Sequence, residues 1–350
     1  MSENFYGLGI APQIFDALLK LDFKIPTPIQ RQAIPIMLEG KDLIGIAQTG
    51  TGKTMAFGIP LIQRLSNSKS RCLILVPTRE LALQVRDHIE KISRVFKIRT
   101  VALIGGDSIE RQIKALSFLP RVLIATPGRL IDLIEQKKVR LNDVSIVILD
   151  EADRMLDMGF APQIARVLQT VPRERQTALF SATMPEQIVK LASSYMHFPL
   201  QVEVAPAGTT AERVTHELFI VQRERKQELL GKLLAGYRGS VLLFCRTKRG
   251  TARIVRSLKR MGHSVAEIHS DRSFEQRKQA LEGFKSGKYR VLAATDIASR
   301  GIDVAGIELV INYDLPDDTE NYVHRIGRTA GRVMPVTRSL LPRPTSGPGF

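Results

Sequence analysis

Residues 47–54 are Ala47-Gln48-Thr49-Gly50-Thr51-Gly52-Lys53-Thr54, and they follow the apolar run Leu43 to Ile46. An apolar run that leads into a glycine-rich turn and a lysine is typical of a phosphate loop between a strand and a helix. Its glycines let backbone N–H groups converge on phosphate oxygens, Lys53 can reach the outer phosphates, and the Thr54 hydroxyl can ligate Mg²⁺. Ala47 replaces the first glycine of the strict pattern. This stretch predicts nucleotide binding on an α/β fold.

A second apolar run, Val144 to Leu149, is followed by Asp150-Glu151-Ala152-Asp153. In this position Asp150 can hold Mg²⁺, and Glu151 can orient or deprotonate a water molecule. A phosphate loop alone leaves other nucleotide-binding roles open. Together, the two motifs predict nucleotide hydrolysis.

Short apolar runs alternate with helical patterns throughout the chain. Strands are predicted at residues 42–47, 71–76, 100–104, 121–125, 144–149, 177–180, 200–204, 216–221, 241–245, 264–268, 290–293 and 309–312, and helices at 53–65, 79–96, 127–135, 161–170, 226–234, 251–259 and 275–285. Such alternation indicates right-handed crossovers and a parallel sheet. The pattern lapses at residues 205–210, which read as a linker between two domains, 1–205 and 206–350.

The 350 residues include 51 Lys and Arg against 35 Asp and Glu, a net charge of +16. Such an excess favours polyanionic partners, because each neutralised phosphate releases condensed counterions, although solubility charge or ribosome association is an alternative. With no Trp and 6% aromatic residues, contacts to a nucleic-acid backbone are a better expectation than broad base stacking.

No apolar run approaches the roughly 20 residues that a membrane span needs, so no membrane partner is expected. Residues 1–9 do not resemble a signal peptide. Cys72 and Cys245 lie in apolar strands of different halves, which favours buried, reduced thiols. We therefore expect a cytoplasmic protein.

Further short motifs occur in a fixed order. They are Pro26-Thr27-Pro28-Ile29-Gln30, the phosphate loop, residues 77–82 (PTRELA), Gly105-Gly106, Thr126-Pro127-Gly128-Arg129, Asp150 to Asp153, Ser181-Ala182-Thr183, residues 295–303 (TDIASRGID) and His324-Arg325-Ile326-Gly327-Arg328. Their order and spacing closely resemble the DEAD-box family of ATP-dependent RNA helicases over roughly residues 5 to 330. The resemblance implies two tandem RecA-like parallel-sheet domains: an ATP-binding domain, residues 1–205, and a C-terminal helicase domain, residues 206–350.

The resemblance also implies how ATP is held. Gln30 would read the adenine edge, Phe23 would stack on its face, and Phe5 would support Gln30. Thr54 and Asp150 would hold Mg²⁺, directly or through water. From the second domain, Gly301 and Asp303 would complete the nucleotide site, and Arg328 would act as an arginine finger.

Two further groups of residues follow from the same resemblance. The interdomain hydrogen-bond relay would contain Asp153, Ser181, Thr183 and His324. RNA would be contacted by Thr78, Arg79, Gly106, Thr126, Arg129, Thr247, Arg277, Thr295 and Asp296. Small residues and backbone amides at a phosphate favour recognition of the sugar-phosphate backbone and not of base identity.

The chain departs from the family pattern in two places. Phe274 stands where the family has a glutamine three residues before Arg277, and Arg272 replaces a usual apolar residue. After Ala330 the family continues with a second arginine, whereas this chain has Gly331 and an atypical tail, residues 331–350.

We infer a change of reading frame near Ala330, with an evolved tail as the alternative that the coding DNA would decide. A family-like continuation Arg-Ala-Gly-His-Ala-Gly-Asp-Ala-Ile-Ser-Leu, read one base late, can give Gly-Arg-Val-Met-Pro-Val-Thr-Arg-Ser-Leu. We then expect a truncated second domain that lacks its closing strand and helix and leaves a sheet edge exposed. The chain end, residues 342–350, has no expected fold.

The sequence therefore predicts an RNA-stimulated ATPase that separates short RNA duplexes locally, with ATP and Mg²⁺ as cofactors. A catalytically impaired factor that binds ATP and RNA is the alternative, and RNA-stimulated phosphate release distinguishes the two. A DNA helicase of a related superfamily is disfavoured by Gln30 with its aromatic partner and by the spelling of residues 150–153.

Overall fold

The computed structural model describes residues 4–48, 50–204, 215–296, 307–316, 325 and 329–338. The chain divides into two compact units, unit 1 (Met1–Ala207) and unit 2 (Gly208–Phe350). The predicted linker, residues 205–210, lies outside the described residues. In the part of the chain that is described, no helix is long and apolar enough to cross a membrane.

Unit 1 contains seven strands and nine α-helices in its described residues. The strands are β1 (Leu43–Ile46), β2 (Arg71–Leu75), β3 (Thr100–Leu103), β4 (Val122–Ala125), β5 (Val144–Leu149), β6 (Gln176–Ser181) and β7 (Leu200–Glu203). The helices are α1 (Pro12–Lys20), α2 (Pro28–Leu38), α3 (Lys53–Ser66), α4 (Arg79–Ser93), α5 (Ile109–Leu116), α6 (Pro127–Glu135), α7 (Ala152–Asp157), α8 (Ala161–Thr170) and α9 (Glu186–Tyr195). A short 3₁₀ turn, Arg94–Phe96, follows α4.

The strands of unit 1 form one sheet in the order β3-β4-β2-β5-β6-β1-β7. All the pairings are parallel. The central strands are apolar and buried along their length because helices cover both faces of such a sheet. This arrangement places the end of every strand, and the loop that follows it, on one edge of the sheet.

Unit 2 repeats the alternation with shorter elements. It contains β8 (Thr215–His216), β9 (Phe219–Val221), α10 (Lys226–Gly236), β10 (Val241–Phe244), α11 (Lys248–Arg260), β11 (Val265–Ile268), α12 (Phe274–Lys285), β12 (Val291–Ala294), β13 (Ile307–Asn312) and β14 (Thr329–Arg338). The strand order is β11-β12-β10-β13-β14-β8, and β9 also pairs with β14. The predicted strand at residues 216–221 is therefore two short strands. The predicted fold class, two parallel-sheet α/β domains, is confirmed.

The segment after Ala330 corrects one expectation. We expected the altered tail to leave the edge of β13 open, but β14 pairs in parallel with β13 on one side and with β8 and β9 on the other. Ladder hydrogen bonds join backbone groups, so a segment with an altered sequence can still pair when it contains β-branched residues such as Val333, Val336 and Thr337. Residues 339–350 lie outside the described part of the chain.

Candidate functional site

The phosphate loop connects the end of β1 to the start of α3. Gly50 and Gly52 have φ angles of 81° and 90°, which residues with a Cβ rarely adopt. A Cβ at Gly52 would also lie 2.5 Å from Nε2 of Gln30. Lys53 begins α3, is 6% exposed, and its Nζ donates to the carbonyl of Ala47 at 2.8 Å. The loop thus presents a helix N-terminus and a lysine, a combination that suits phosphate.

The other loop residues have simple local roles. The Thr51 hydroxyl donates to the carbonyl of Gln48 at 2.7 Å, which closes the turn. Thr54 is the second residue of α3, next to Lys53. Thr49 lies outside the described residues.

Gln30 joins helix α2 to the phosphate loop. Its Oε1 accepts from the backbone N–H of Thr27 at 3.0 Å, and its Nε2 donates to the carbonyl of Gly52 at 3.1 Å. A primary amide has two donor hydrogens and two acceptor lone pairs, so each half of the group keeps capacity for one further bond. Phe23 is half-buried and Phe5 is 2% exposed. Recognition of adenine by Gln30 and Phe23 stays a prediction.

The acidic motif lies at the end of β5 and is buried. Burial raises the pKa of the Asp150 carboxyl from its ordinary value of 3.8 to about 7, while the nearby Lys53 ammonium lowers it and Glu151 and Asp153 raise it. Glu151 has a φ angle of 53°, a left-handed conformation that is uncommon for residues with a side chain, and its N–H donates to Asp150 Oδ1 at 3.0 Å. The fold therefore brings Lys53 and Asp150 into one electrostatic environment, although about a hundred residues separate them.

We predict an unusual pH dependence of stability from this carboxyl. The folded state holds the Asp150 proton up to about pH 7, whereas an unfolded aspartate releases it near 3.8. Because the folded state binds more protons in this interval, the free energy of unfolding should fall as pH rises, by about 1.4 kcal/mol per pKa unit and about 2–4 kcal/mol in total. Chemical denaturation of the parent and of Asp150→Asn between pH 4 and 8 measures the difference.

The control for this prediction is Asp16→Asn on α1, where the carboxyl is exposed. Asp150→Asn should be stabilising near pH 8 and close to neutral near pH 4, and Asp16→Asn controls for the loss of an exposed carboxylate charge. A difference between Asp150→Asn and the parent that stays constant with pH would contradict the prediction.

Asp153 connects the ends of β5 and β6. Its Oδ2 accepts from the backbone N–H groups of Ala182 and Thr183 at 2.9 and 3.1 Å and from the Thr183 hydroxyl at 3.3 Å. Ser181 is fully buried, and its hydroxyl has no hydrogen-bond partner among the described residues. Two of the four predicted relay residues, Asp153 and Thr183, are therefore hydrogen-bonded in unit 1, and Ser181 lies two residues before Thr183 at the end of β6. The fourth, His324, lies outside the described residues.

The predicted RNA-contacting residues of unit 1 lie on the same edge of the sheet. Thr78 caps the N-terminus of α4 by accepting from Leu81 N–H at 3.2 Å, and Thr126 occupies the corresponding place before α6. A Cβ at Gly106 would clash with the guanidinium of Arg79, so these two residues are in contact. Arg129 donates to the carbonyl of Asp107 at 3.3 and 3.4 Å.

The strand order separates the two groups of candidates along this edge. The predicted RNA contacts follow β2, β3 and β4, which are neighbours, and the predicted nucleotide and relay residues follow β5, β6 and β1, which are also neighbours. In parallel sheets, ligands bind beyond the carboxyl ends of the strands. One edge of unit 1 can therefore hold a nucleotide and a polyanion side by side.

Unit 2 presents its candidates in the same way. Thr247 caps α11 after β10 by accepting from Gly250 N–H at 3.1 Å, Thr295 follows β12, and Arg277 lies on α12 after β11. These three strands are neighbours in the sheet. Gly301, Asp303 and Arg328 lie outside the described residues.

Two buried arginines were missed by the sequence reasoning. Arg325 is 2% exposed and binds both carboxylate oxygens of Asp296, at 2.6 and 2.8 Å, and it also donates to Asn312 Oδ1 at 2.8 Å. Arg154 is 2% exposed and donates to Glu151 Oε2 at 2.9 Å. The spacing of three residues between Glu151 and Arg154 on a helix could have indicated that the two side chains pair. For Arg325 and Asp296, no local spacing pairs the two residues.

Comparison with protein families gives two matches that together span most of the chain. The family described as DEAD/DEAH box helicase matches residues 27–191, and the one described as helicase conserved C-terminal domain matches residues 225–333. The second match ends three residues after Ala330, where the atypical tail begins.

Curated relatives and solved structures agree with these matches. The chain is 42% identical over 345 residues to the DEAD-box ATP-dependent RNA helicase CshA of Geobacillus kaustophilus, covering 97% of this chain and 74% of that protein. It is 42% identical to the ATP-dependent rRNA helicase RRP3 of Yarrowia lipolytica, covering 94% and 69%. Dbp5 of S. cerevisiae bound to RNA and ADP BeF3 superposes with a TM-score of 0.86 at 29% identity, covering 97% and 90%. A DEAD box protein from Methanococcus jannaschii gives 0.57 at 37% identity, covering 96% and 93%.

Proposed function

This chain belongs to the DEAD-box family of ATP-dependent RNA helicases, and we propose that it hydrolyses ATP in response to RNA and separates short RNA duplexes locally. The observation that carries the proposal is the shared environment of Lys53 and Asp150 at the carboxyl edge of the unit 1 sheet. A phosphate-binding lysine and a buried carboxyl in one site suit phosphoryl transfer, which depends on positioning and charge stabilisation.

The residues of the nucleotide site fit Mg²⁺. Burial, opposed by the Lys53 ammonium and assisted by the Glu151 and Asp153 carboxylates, raises the pKa of Asp150 to about 7, so a divalent cation beside it would favour the ionised carboxylate. No cluster of three or more His, Cys, Asp or Glu side chains among the described residues could hold a metal alone. That agrees with the magnesium mode of one or two carboxylates plus water and substrate phosphates. We propose that Asp150 and Thr54 hold the ion, which would supply charge neutralisation at the phosphates.

The remaining roles belong to side chains of the chain itself. Lys53 would bind the outer phosphates, and Glu151 would orient the attacking water and accept its proton. Phe23 and Gln30 would select adenine, and Asp303 and Arg328 would reach the nucleotide from unit 2. Hydrolysis then requires the two units to come together, and we propose that RNA bound along both units favours that state.

We expect Glu151→Gln to retain ATP and RNA binding while lowering the turnover number by about 10²- to 10⁴-fold, because a general base typically contributes that much and an amide cannot accept the proton. Phosphate release under single-turnover conditions, together with fluorescent-nucleotide binding, measures the two effects separately. Glu186→Gln, at an exposed carboxylate of α9, is the control and should behave as the parent. Hydrolysis by Glu151→Gln at the parent rate would show that another group activates the water.

RNA affinity should fall steeply with salt and differ little between sequences. The predicted contacts are phosphates and sugars, so each cation that meets a phosphate adds about 0.7 to the slope of log affinity against log salt for a single strand. Arg129→Ala should reduce the slope by about one such contact, whereas Arg166→Ala, an exposed residue paired with Glu135, should leave it unchanged. Fluorescence anisotropy with two RNAs of unrelated sequence measures both. A strong preference for one sequence at fixed salt would count against backbone recognition.

We also propose a cytoplasmic location, since Cys72 and Cys245 are free and buried, as expected in a reducing compartment. The alternative of an impaired ATP- and RNA-binding factor is favoured by one feature, Gly331 in place of the second arginine of the last motif. RNA-stimulated phosphate release by the chain decides between the two.

A further inference from the structure

Arg154 is among the largest fully buried side chains of the protein, at 2% exposure. It lies on α7, three residues after Glu151, and its Nη1 donates to Glu151 Oε2 at 2.9 Å. The Glu151 side chain is also buried, at 7% exposure. A buried arginine therefore holds the carboxylate to which the proposed mechanism assigns the attacking water.

Stability alone is a weak reason for such a pair. Removing two charges from water costs about as much as their attraction returns, and apolar residues of similar volume are often as stabilising. The neighbouring side chains Met155 and Leu156 already supply buried apolar contacts on this short helix. The pair is better understood as an interaction that fixes the conformation of the Glu151 side chain.

The backbone around the pair is fixed independently. The Glu151 N–H donates to Asp150 Oδ1 at 3.0 Å, and the Arg154 N–H donates to Asp153 Oδ1 at 2.9 Å. Asp153 in turn is bound to the loop after β6 through Ala182 N–H at 2.9 Å. The Glu151 side chain still has rotatable bonds of its own, and the guanidinium of Arg154 restricts them through one oxygen. The bond from Arg154 engages Oε2, and a carboxylate has a second oxygen, Oε1, that can accept from a water molecule.

We propose that Arg154 is a positioning residue for hydrolysis: it holds Glu151 by Oε2 and so presents Oε1 to the attacking water. Arg154 acts through Glu151 and contacts neither the nucleotide nor the water. This inference rests on the water-orienting role proposed above for Glu151.

The test compares Arg154→Met and Arg154→Lys in the full chain, each alone and combined with Glu151→Gln. Loss of a supporting partner behind a catalytic group typically costs about 10- to 100-fold. Arg154→Met should lower the turnover number by about that factor, with the KM for ATP and the RNA affinity within about 3-fold of the parent. Arg154→Lys keeps a cation and should recover about half of the loss on a logarithmic scale. In the Glu151→Gln background, Arg154→Met should change single-turnover phosphate release by less than about 2-fold, because the two residues act as one unit.

A purely structural role gives a different pattern. Val167→Ala removes core volume from α8 at a fully buried position and serves as the control for destabilisation. It should lower the unfolding temperature while leaving the turnover number unchanged below that temperature. If Arg154→Met lowers activity only in proportion to its unfolded fraction, matches the parent, exceeds it, or is equally harmful in the Glu151→Gln background, Arg154 does not position Glu151.

The parent chain separates this inference from the function on which it rests. Absence of RNA-stimulated phosphate release by the parent contradicts the proposed function and the positioning role together. Release by the parent that is abolished in Glu151→Gln and unchanged in Arg154→Met contradicts the positioning role alone.

Discussion

Lys53→Ala is expected to lower kcat/KM for ATP by about 10³-fold or more. Truncating one partner of a buried, hydrogen-bonded charge pair costs about 2–5 kcal/mol, which corresponds to about 30- to 4,000-fold in affinity. Loss of a donor aimed at charge that develops in the transition state costs about 10²-fold more. Both losses apply because Lys53 is the lysine of the loop, and it is buried at the start of α3.

The geometry explains how Lys53 can reach a phosphate. Lys53 Nζ already points along the loop to the carbonyl of Ala47, at 2.8 Å, so a small rotation can transfer it to a phosphate oxygen. Fluorescent-nucleotide titration and steady-state phosphate release measure the two losses separately. Lys41→Ala, at an exposed lysine paired with Glu39, is the matched control and should bind ATP as the parent does. Unchanged ATP affinity in Lys53→Ala would contradict the assignment of the phosphate loop.

The parallel sheets were predictable because their signal is local. Each central strand is a short apolar run bounded by turn residues, and burial on both faces of a parallel sheet requires that composition. The run Val144 to Leu149, for example, is β5 to the residue. Strand order was not predictable in the same way, since β2 lies beside β5 and β4 through contacts between residues distant in sequence.

The candidate site was predictable in its motifs and not in its internal contacts. Spacing and residue type indicated Lys53 and Asp150, but the raised pKa of Asp150 arises from burial, which only the folded chain shows. Gln30 was interpreted as an adenine contact, yet its amide also joins Thr27 to Gly52. A sequence pattern identifies which side chains carry chemistry, whereas the neighbours that position them depend on the tertiary fold.

The tail is a second case in which the sequence pattern did not predict the tertiary contacts. Its sequence departs from the family after Ala330, and we expected no strand, but residues 329–338 form β14 between β13 and β8. Strand pairing needs backbone donors and acceptors and side chains that suit an extended conformation. Pro335 removes only one N–H donor from the ladder. Catalysis is more sensitive to the altered sequence than strand pairing is, because a catalytic arginine must occupy one defined position.

The largest effect is expected from restoring an arginine at position 331. Arginine fingers can contribute about 10³- to 10⁵-fold in rate, and the family resemblance implies a second arginine at position 331 in addition to Arg328. Here position 331 is Gly331, and Arg332 is one residue further along β14. The register of β14 against β13 shifts between Thr329 and Arg332, and Arg332 is the residue that pairs with Leu309, so position 332 is held in the ladder and does not take the place of position 331. We therefore expect RNA-stimulated ATPase and duplex separation by this chain to be weaker than those of a chain with arginine at position 331.

Three chains separate the arginine from the rest of the tail: the chain as it stands, Gly331→Arg, and a chain continued from Ala330 in the restored frame. The restored chain should gain about 10³-fold or more in RNA-stimulated kcat, and Gly331→Arg should recover part of that gain because Thr329 and Arg332 on either side of this position are paired with β13. Arg332→Ala is the control and should leave the rate unchanged.

Stability provides an independent readout of the same chains. Limited proteolysis should cut the present chain first beyond residue 207, in unit 2, and the restored frame should slow that cleavage. Hydrogen exchange should nevertheless protect the amides of residues 329–338 other than Pro335, since β14 is paired on both sides. Equal ATPase rates and equal protease resistance in the present and restored chains would show that residues 331–350 are a functional ending and that Arg328 suffices.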